Sequence, residues 1–122
     1  MDTVTLVVDA ANVVGSVPDG WWRDRRGAAE RLRDRLVPVA ADGVPGVPGP
    51  LDVVLVVEGR ARGVESLPGV RVDSAPGSGD DRIVEVVASL AGPVVVVTAD
   101  RELRARVTAL GARTLGPRTV RP

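Results

Sequence analysis

The chain has 122 residues, and this length predicts one domain, residues 1–122, that is large enough to bury a core. Sixteen arginines balance sixteen aspartates and glutamates, so no overall charge draws the chain to nucleic acid or to a membrane. The sequence contains no histidine, cysteine, lysine or tyrosine. This composition excludes disulfides and thiolate metal sites. Catalysis must therefore use carboxylates, amides, hydroxyls and guanidinium groups.

The N-terminus shows neither the basic segment nor the cleavage site of a signal peptide. The longest apolar run is far shorter than the roughly 20 residues that span a bilayer. These features predict a soluble, cytoplasmic protein with no membrane partner.

Short valine-rich runs predict strands that are covered on both faces. In chain order, these strands are expected at residues 3–8, 51–57, 70–72 and 93–98, with a short edge strand at 113–115. Apolar residues at helical spacing predict helices over residues 21–39, 80–91 and 101–110, and a short helix over 60–67. Segments 13–20 and 41–50 are predicted loops, the second because of its proline and glycine content.

Strands and helices alternate along the chain. This order predicts an α/β fold, a three-layer αβα sandwich with a mainly parallel sheet of four to five strands. In such folds, ligands bind in the crevice beyond the carboxyl ends of the strands.

Acidic residues follow the predicted strands at that edge. Asp9 and Glu58 end the first two strands, Asp80 and Asp81 open the helix after the third, and Asp100 follows the fourth. Asp100 is also a good helix cap, and the helix dipole favours Asp80 and Asp81. Asp9 does not obviously begin a helix, so capping does not explain it. Converging carboxylates repel each other by about 1 kcal/mol per close pair, and a hard cation such as Mg²⁺ or Mn²⁺ removes that repulsion.

The tryptophan pair has two expected roles. Trp22 is in helical register with Leu32 and Leu36, so it is predicted to lie in the core. Trp21 points elsewhere and is the candidate for stacking on a nucleobase.

The arginines fall into two groups. Those of the predicted helix 21–39 alternate with acidic residues, which indicates a solvated, self-paired face. Nearer the predicted crevice, the candidates for contacts to an RNA backbone are Arg60, Arg62, Arg82 and Arg101.

Three segments carry a resemblance to a known family. They are VVDAANVV at residues 7–14, GDDRIV at 79–84 and VVTADRE at 96–102. In their order and spacing they resemble the NYN domain of the PIN-like ribonuclease superfamily, most of all its bacterial YacP-like members.

The resemblance implies that Asp9, Asp80 and Asp100 hold Mg²⁺ or Mn²⁺, with Glu58 as a further ligand. Asp81 competes with Asp80, although the apolar residue three positions after Asp80 favours the latter. Asn12 would orient Asp9 or contact substrate, and Thr98 would support the site by hydrogen bonding. The predicted catalytic residues are Asp9, Asp80, Asp100, Asn12 and Asp81. The predicted substrate-binding residues are Thr98, Arg101, Arg82, Arg60 and Trp21.

The predicted function is a metal-dependent ribonuclease that hydrolyses phosphodiester bonds with a metal-activated water. Its substrate would be single-stranded or structured RNA, and a homodimer or a ribosomal or RNA-processing partner is compatible with the resemblance. The alternative is a catalytically inactive PIN-like module that binds RNA or protein. A dehalogenase-type phosphatase is excluded, because Ala11 occupies the position of its second aspartate and the chain has no lysine.

Overall fold

The computed structural model describes residues 3–121. Its strands are β1 (Thr5–Asp9), β2 (Gly43–Val44), β3 (Val47–Pro48), β4 (Asp52–Val57), β5 (Val70–Ser74), β6 (Val94–Val97) and β7 (Arg113–Leu115). Its α-helices are α1 (Ala10–Gly15), α2 (Arg25–Asp42), α3 (Gly79–Ser89) and α4 (Arg101–Thr108). Single 3₁₀ turns cover Trp21–Arg23, Gly59–Ala61 and Pro117–Thr119.

Five strands form one parallel sheet in the order β5-β4-β1-β6-β7. The valine-rich runs form its centre, where Val7 of β1 is paired with Val54 on one side and Val96 on the other. Their branched side chains pack well on a pleated surface. The predicted parallel sheet is therefore confirmed.

Helices cover both faces of the sheet. Leu6 and Val8 face the core beneath α1 and α2, whereas Val7 faces the core beneath α3 and α4. This alternation follows from the two-residue period of a strand. The three-layer αβα architecture predicted from the sequence is confirmed.

The strand order reverses at β1. The chain runs from β1 to β4 and β5 on one side, and then returns to place β6 and β7 on the other. In open α/β sheets such a reversal marks the crevice where ligands bind. The carboxyl ends of β1 and β6 flank this crevice.

Several predicted boundaries were wrong. A helix, α1, directly follows β1 where no helix was expected, and the predicted helix over 60–67 shrinks to the turn Gly59–Ala61. The segment 41–50 is not only loop, because α2 runs to Asp42 and β2 and β3 then form an antiparallel hairpin. No helix within residues 3–121 is long and apolar enough to cross a bilayer.

The burial of the two tryptophans differs from the prediction. Trp22 is 50% exposed, whereas Trp21 is half-buried and packs against the core. The predicted helix was extended too far toward the N-terminus. Because α2 begins only at Arg25, the helical register that placed Trp22 with Leu32 and Leu36 does not reach the Trp21–Arg23 turn.

Candidate active site

Asp9 is the acidic residue that the fold buries most deeply at the crevice, with 4% of its surface exposed. Its Oδ2 accepts a hydrogen bond of 2.9 Å from Thr98 Oγ1. Its Oδ1 accepts a longer one, 3.4 Å, from the backbone N–H of Asn12, so Asp9 caps α1. The expectation that Asp9 begins no helix was therefore wrong, and capping is part of what this side chain does.

Thr98 and Asn12 join the two turns that flank the crevice. Thr98 Oγ1 donates to Asp9 and accepts from the backbone N–H of Asp100 at 3.1 Å. The Asn12 side-chain oxygen accepts from the backbone N–H of Ala99 at 2.8 Å. Thr98 has no exposed surface, so the structure places its hydroxyl behind Asp9 and not on the surface of the crevice.

The surroundings of Asp9 disfavour its charge. Burial raises the pKa of its carboxyl to about 6, with further increases from the negative charges of Asp80 and Glu58. The hydrogen bonds from Thr98 and Asn12 lower it. The charges of Asp80, at the start of α3, and Glu58, after β4, thus act on Asp9 at the end of β1.

Asp80 and Asp81 point in different directions, because successive residues of a helix are about 100° apart. Burial raises the pKa of Asp80, and the negative charges of Asp100 and Glu58 raise it further. Asp81 is 69% exposed and accepts a 3.0 Å hydrogen bond from Arg106. Of the two, Asp80 is the one that shares the crevice with the other carboxylates.

Asp100 and Glu58 each already accept a backbone hydrogen bond. Asp100 caps α4, because its Oδ1 accepts from the N–H of Leu103 at 2.9 Å. Glu58 Oε2 accepts from the N–H of Gly79, the first residue of α3, at 2.5 Å. Both side chains therefore stabilise the start of a helix, and both lie close enough to Asp80 for their charges to raise its pKa.

The donor set suits a hard cation, since it consists of carboxylate, hydroxyl and amide oxygens and contains no nitrogen or sulfur ligand. Among residues 3–121, however, no three acidic side chains already form a metal-binding group. Within the same range, the Asp80 carboxylate accepts no hydrogen bond from another residue, so its oxygens are available to a ligand. A cation here would gather side chains that are close enough to influence one another.

The predicted arginines differ in their availability. Arg82 makes two hydrogen bonds, of 2.8 and 2.9 Å, to the two carboxylate oxygens of Asp73, and this contact lowers the pKa of Asp73. Its guanidinium is therefore engaged within the fold. Arg60 and Arg101 are exposed; Arg60 lies two residues after Glu58, and Arg101 directly follows Asp100.

Trp21 lines a cleft of about 340 Å³ beside the acidic residues. The cleft also contains Glu58 and two arginines, Arg25 and Arg62. The Arg25 guanidinium carbon lies 5.3 Å from the centroid of the Trp21 ring.

Sequence reasoning missed some residues of this region. Arg25 was predicted to lie on a solvated helix face, but it lines the cleft. Glu102 was assigned no role, but its charge raises the pKa of Asp80. The signal for Glu102 was its position two residues after Asp100, in the first turn of α4.

No protein-family model matches the chain, and no curated protein matches it in sequence. The solved structures that resemble it include two of Rae1 (YacP) from Bacillus subtilis. The first covers 98% of this chain and 71% of its own, with a TM-score of 0.76 and 20% identity. A tryptophan-to-leucine mutant of the same protein gives a TM-score of 0.75, again with 20% identity and 98% of this chain covered, and with 72% of its own.

The chain has the fold of Rae1 (YacP). The resemblance that the three sequence segments predicted is thereby confirmed for the fold. The match extends over nearly the whole chain, so it includes the segments that carry Asp9, Asp80 and Asp100.

Proposed function

We propose that this chain is a metal-dependent ribonuclease that hydrolyses RNA phosphodiester bonds at the crevice around Asp9. The observation that carries the proposal is the placement of Asp9. A carboxylate is buried at the strand-order reversal and lies near enough to Asp80 and Glu58 for their charges to raise its pKa. Such an arrangement destabilises the fold, and a bound cation would offset that destabilisation.

In this proposal Asp9, Asp80 and Asp100 hold Mg²⁺ or Mn²⁺, and Glu58 contributes from the neighbouring strand end. When bound, the cation would supply a water of lowered pKa and would stabilise negative charge on the phosphate oxygens. Thr98 and Asn12 fix the position of Asp9 and the turn that carries Asp100. Arg60 and Arg101, exposed beside the carboxylates, bind the flanking phosphates.

The site needs no side-chain nucleophile, which suits a chain without histidine, cysteine or lysine. An RNA substrate, a cytoplasmic location and a homodimeric, ribosomal or RNA-processing partner stay predictions from the sequence resemblance. The alternative is a module that binds RNA or protein without cleaving it. Absence of cleavage would favour this alternative.

The test compares cleavage of a dye-labelled, mixed-sequence single-stranded RNA in Mn²⁺, Mg²⁺ or EDTA. We expect Asp9→Asn, Asp80→Asn and Asp100→Asn to lose more than about 100-fold in rate, since even outer-shell partners of a metal are worth about 10- to 100-fold. Asp81→Asn is the matched control, because Asp81 is adjacent in sequence but paired with Arg106. Its rate should stay within a few-fold of wild type.

Metal binding provides a second readout. A ligand that binds only the folded state raises the melting temperature. Mn²⁺ should therefore raise the melting temperature of the wild type and of Asp81→Asn, and raise that of Asp80→Asn much less. Absence of cleavage together with absence of any Mn²⁺ effect on wild type would leave the binding module as the function.

A further inference from the structure

The cleft beside the acidic residues has the size and lining of a ligand site. Its volume of about 340 Å³ lies at the lower end of the roughly 300–1,000 Å³ that small-ligand pockets occupy. The apolar part of its lining comes from α1, α2 and the turns around them, and includes Ala10, Ala11, Val14, Ala29 and Ala61. One large aromatic side chain, Trp21, completes this apolar wall.

Trp21 is held in place by its neighbours. It packs against the core, and its ring lies 3.8 Å from where a Cβ atom on Gly15 would stand. Trp22 contacts it edge-on, with ring centroids 5.9 Å apart, but does not line the cleft. The indole is thus ordered before any ligand arrives, which reduces the entropy lost on binding.

The charges of the cleft complement those of the crevice. Arg25 and Arg62 line it together with a single acid, Glu58. Glu58 is also the residue whose charge raises the pKa values of Asp9 and Asp80, so the cleft and the crevice adjoin. A ligand that spans both would place a flat apolar group near Trp21, anionic groups near the two arginines, and a cation among the carboxylates.

We propose that this cleft binds one unpaired nucleobase of the RNA strand, next to the phosphodiester that lies at the carboxylates. The inference rests on the ribonuclease proposed above and specifies its substrate as locally single-stranded. Bases stack on aromatic rings and on guanidinium planes, and Trp21 and Arg25 supply both. The base must be unpaired, because a base inside a duplex is stacked between its neighbours and has to leave the helix to enter a pocket.

Trp21 itself provides the readout. The variant Trp22→Phe leaves Trp21 as the only tryptophan, because the chain contains just two. In EDTA, a six-nucleotide single-stranded adenylate should quench the emission of this variant, whereas an abasic ribose-phosphate strand of equal length should not. Equal quenching by both strands, or by neither, would overturn the base-binding cleft.

Two cleft variants provide an independent check by fluorescence anisotropy of a labelled adenylate in EDTA. Gly77 lines the cleft, and a Cβ atom there would meet no protein atom within 4 Å, so the backbone leaves room for a leucine, and Gly77→Leu is expected to add apolar bulk at the rim of the cleft. We expect Gly77→Leu and Trp21→Ala to bind about 5- to 150-fold more weakly, the factor that corresponds to stacking of one base. Trp22→Phe, which keeps an aromatic ring beside Trp21, is the matched control and should bind within two-fold of wild type.

Binding in EDTA separates this inference from the proposed function. Base-dependent quenching without metal-dependent cleavage would support the cleft and contradict the nuclease. Cleavage that Gly77→Leu leaves unchanged, with no base-dependent quenching, would support the nuclease and overturn the cleft.

Discussion

Asp9 combines a structural and a chemical property in one side chain. Its carboxylate caps α1 and accepts from Thr98, yet it is almost entirely buried and next to other acids. A capping residue in an ordinary loop would keep its charge in water and gain stability from it. Asp9 instead has a pKa of about 6, which is a mark of functional sites more often than of structural caps.

The first prediction at this scale is that stability in EDTA falls as the pH rises from about 4 to about 6. In this interval the folded state binds more protons than the unfolded state, because the pKa of Asp9 is about 6 when folded and 3.8 in the reference state. Asp9→Asn removes this dependence and should raise the free energy of unfolding at pH 7.5 by roughly 2–3 kcal/mol. Urea denaturation of both proteins at several pH values measures it.

The wild-type and mutant curves share every other titrating group, so their difference isolates Asp9. Asp80, whose pKa is also raised, changes stability in the same direction, and Asp73, whose pKa is lowered, in the opposite one. A difference between the two proteins that does not change with pH would contradict the raised pKa. A stable Asp9→Asn protein would also show that its loss of cleavage is not due to unfolding.

A second residue-scale prediction concerns Thr98, whose hydroxyl serves both Asp9 and the turn of Asp100. Thr98→Val keeps the shape but removes the hydroxyl. We expect a loss of about 1–3 kcal/mol, because the Asp100 N–H loses its acceptor, and a pKa of Asp9 above 6. Thr98→Ser keeps the hydroxyl and is the control. Urea denaturation at pH 5 and pH 8 compares the three proteins, and equal stability of Thr98→Val and Thr98→Ser would show that the hydroxyl is unimportant.

At the scale of elements, the sequence predicted what depends on periodicity and missed what depends on turn geometry. The buried strands and the helices α3 and α4 have long, regular patterns, and their existence was predicted correctly. The helix α1 has only six residues, AANVVG, and four of them, Asn, Val, Val and Gly, are poor helix formers. Its N-cap, Asp9, is the last residue of the preceding strand. Its stability comes from packing against α2, which no local pattern shows.

The β2–β3 hairpin was missed for a related reason. Proline and glycine were taken to exclude strands, but here glycine makes the hairpin possible. Gly43 follows α2 with φ of +81° and ψ of −164°, a region that is essentially restricted to glycine. A Cβ atom there would lie 2.3 Å from the carbonyl oxygen of Val47, so the paired strand approaches closely.

This geometry gives the element-scale prediction. Gly43→Ala should lower the free energy of unfolding by about 1–3 kcal/mol through backbone strain. The close contact of the new Cβ atom with β3 should lower it further. Gly77→Ala is the control, because its Cβ atom would be unobstructed. Urea midpoints of the two variants compare the positions directly. Equal midpoints would mean that the hairpin adjusts to the side chain without strain.

For the whole molecule, the convergence of acids could be predicted because it follows from the sheet. Parallel strands end at the same edge, so an acid after each strand reaches one crevice whatever the loops do. The sequence resemblance already favoured Asp80 over Asp81, but the physical difference between them depends on how α3 is rotated and on Arg106 across from it. The cleft was also beyond the sequence, because its walls come from segments as distant as α1 and the turn at Gly77.

The balance of charge makes a prediction at the same scale. Within residues 3–121, four arginines form ion pairs, Arg33, Arg82, Arg106 and Arg121. Another four lie at the cleft or within two residues of Glu58 or Asp100, Arg25, Arg60, Arg62 and Arg101. Each phosphate contact on single-stranded nucleic acid contributes about −0.7 to the slope of log affinity against log salt, so the slope in EDTA should be no steeper than about −3.

Anisotropy of a labelled single-stranded RNA over a range of NaCl concentrations measures this slope. Arg62→Gln should make it shallower by about 0.7, whereas Arg118→Gln, on the exposed turn Pro117–Thr119, should leave it unchanged. A slope near −6 would mean that the interleaved arginines of α2 bind RNA after all, and that their acidic neighbours do not neutralise them. Because the net charge of the chain is zero, only a local group of arginines can attract RNA. In that case the arginines of α2 would contribute more to binding than those around the cleft.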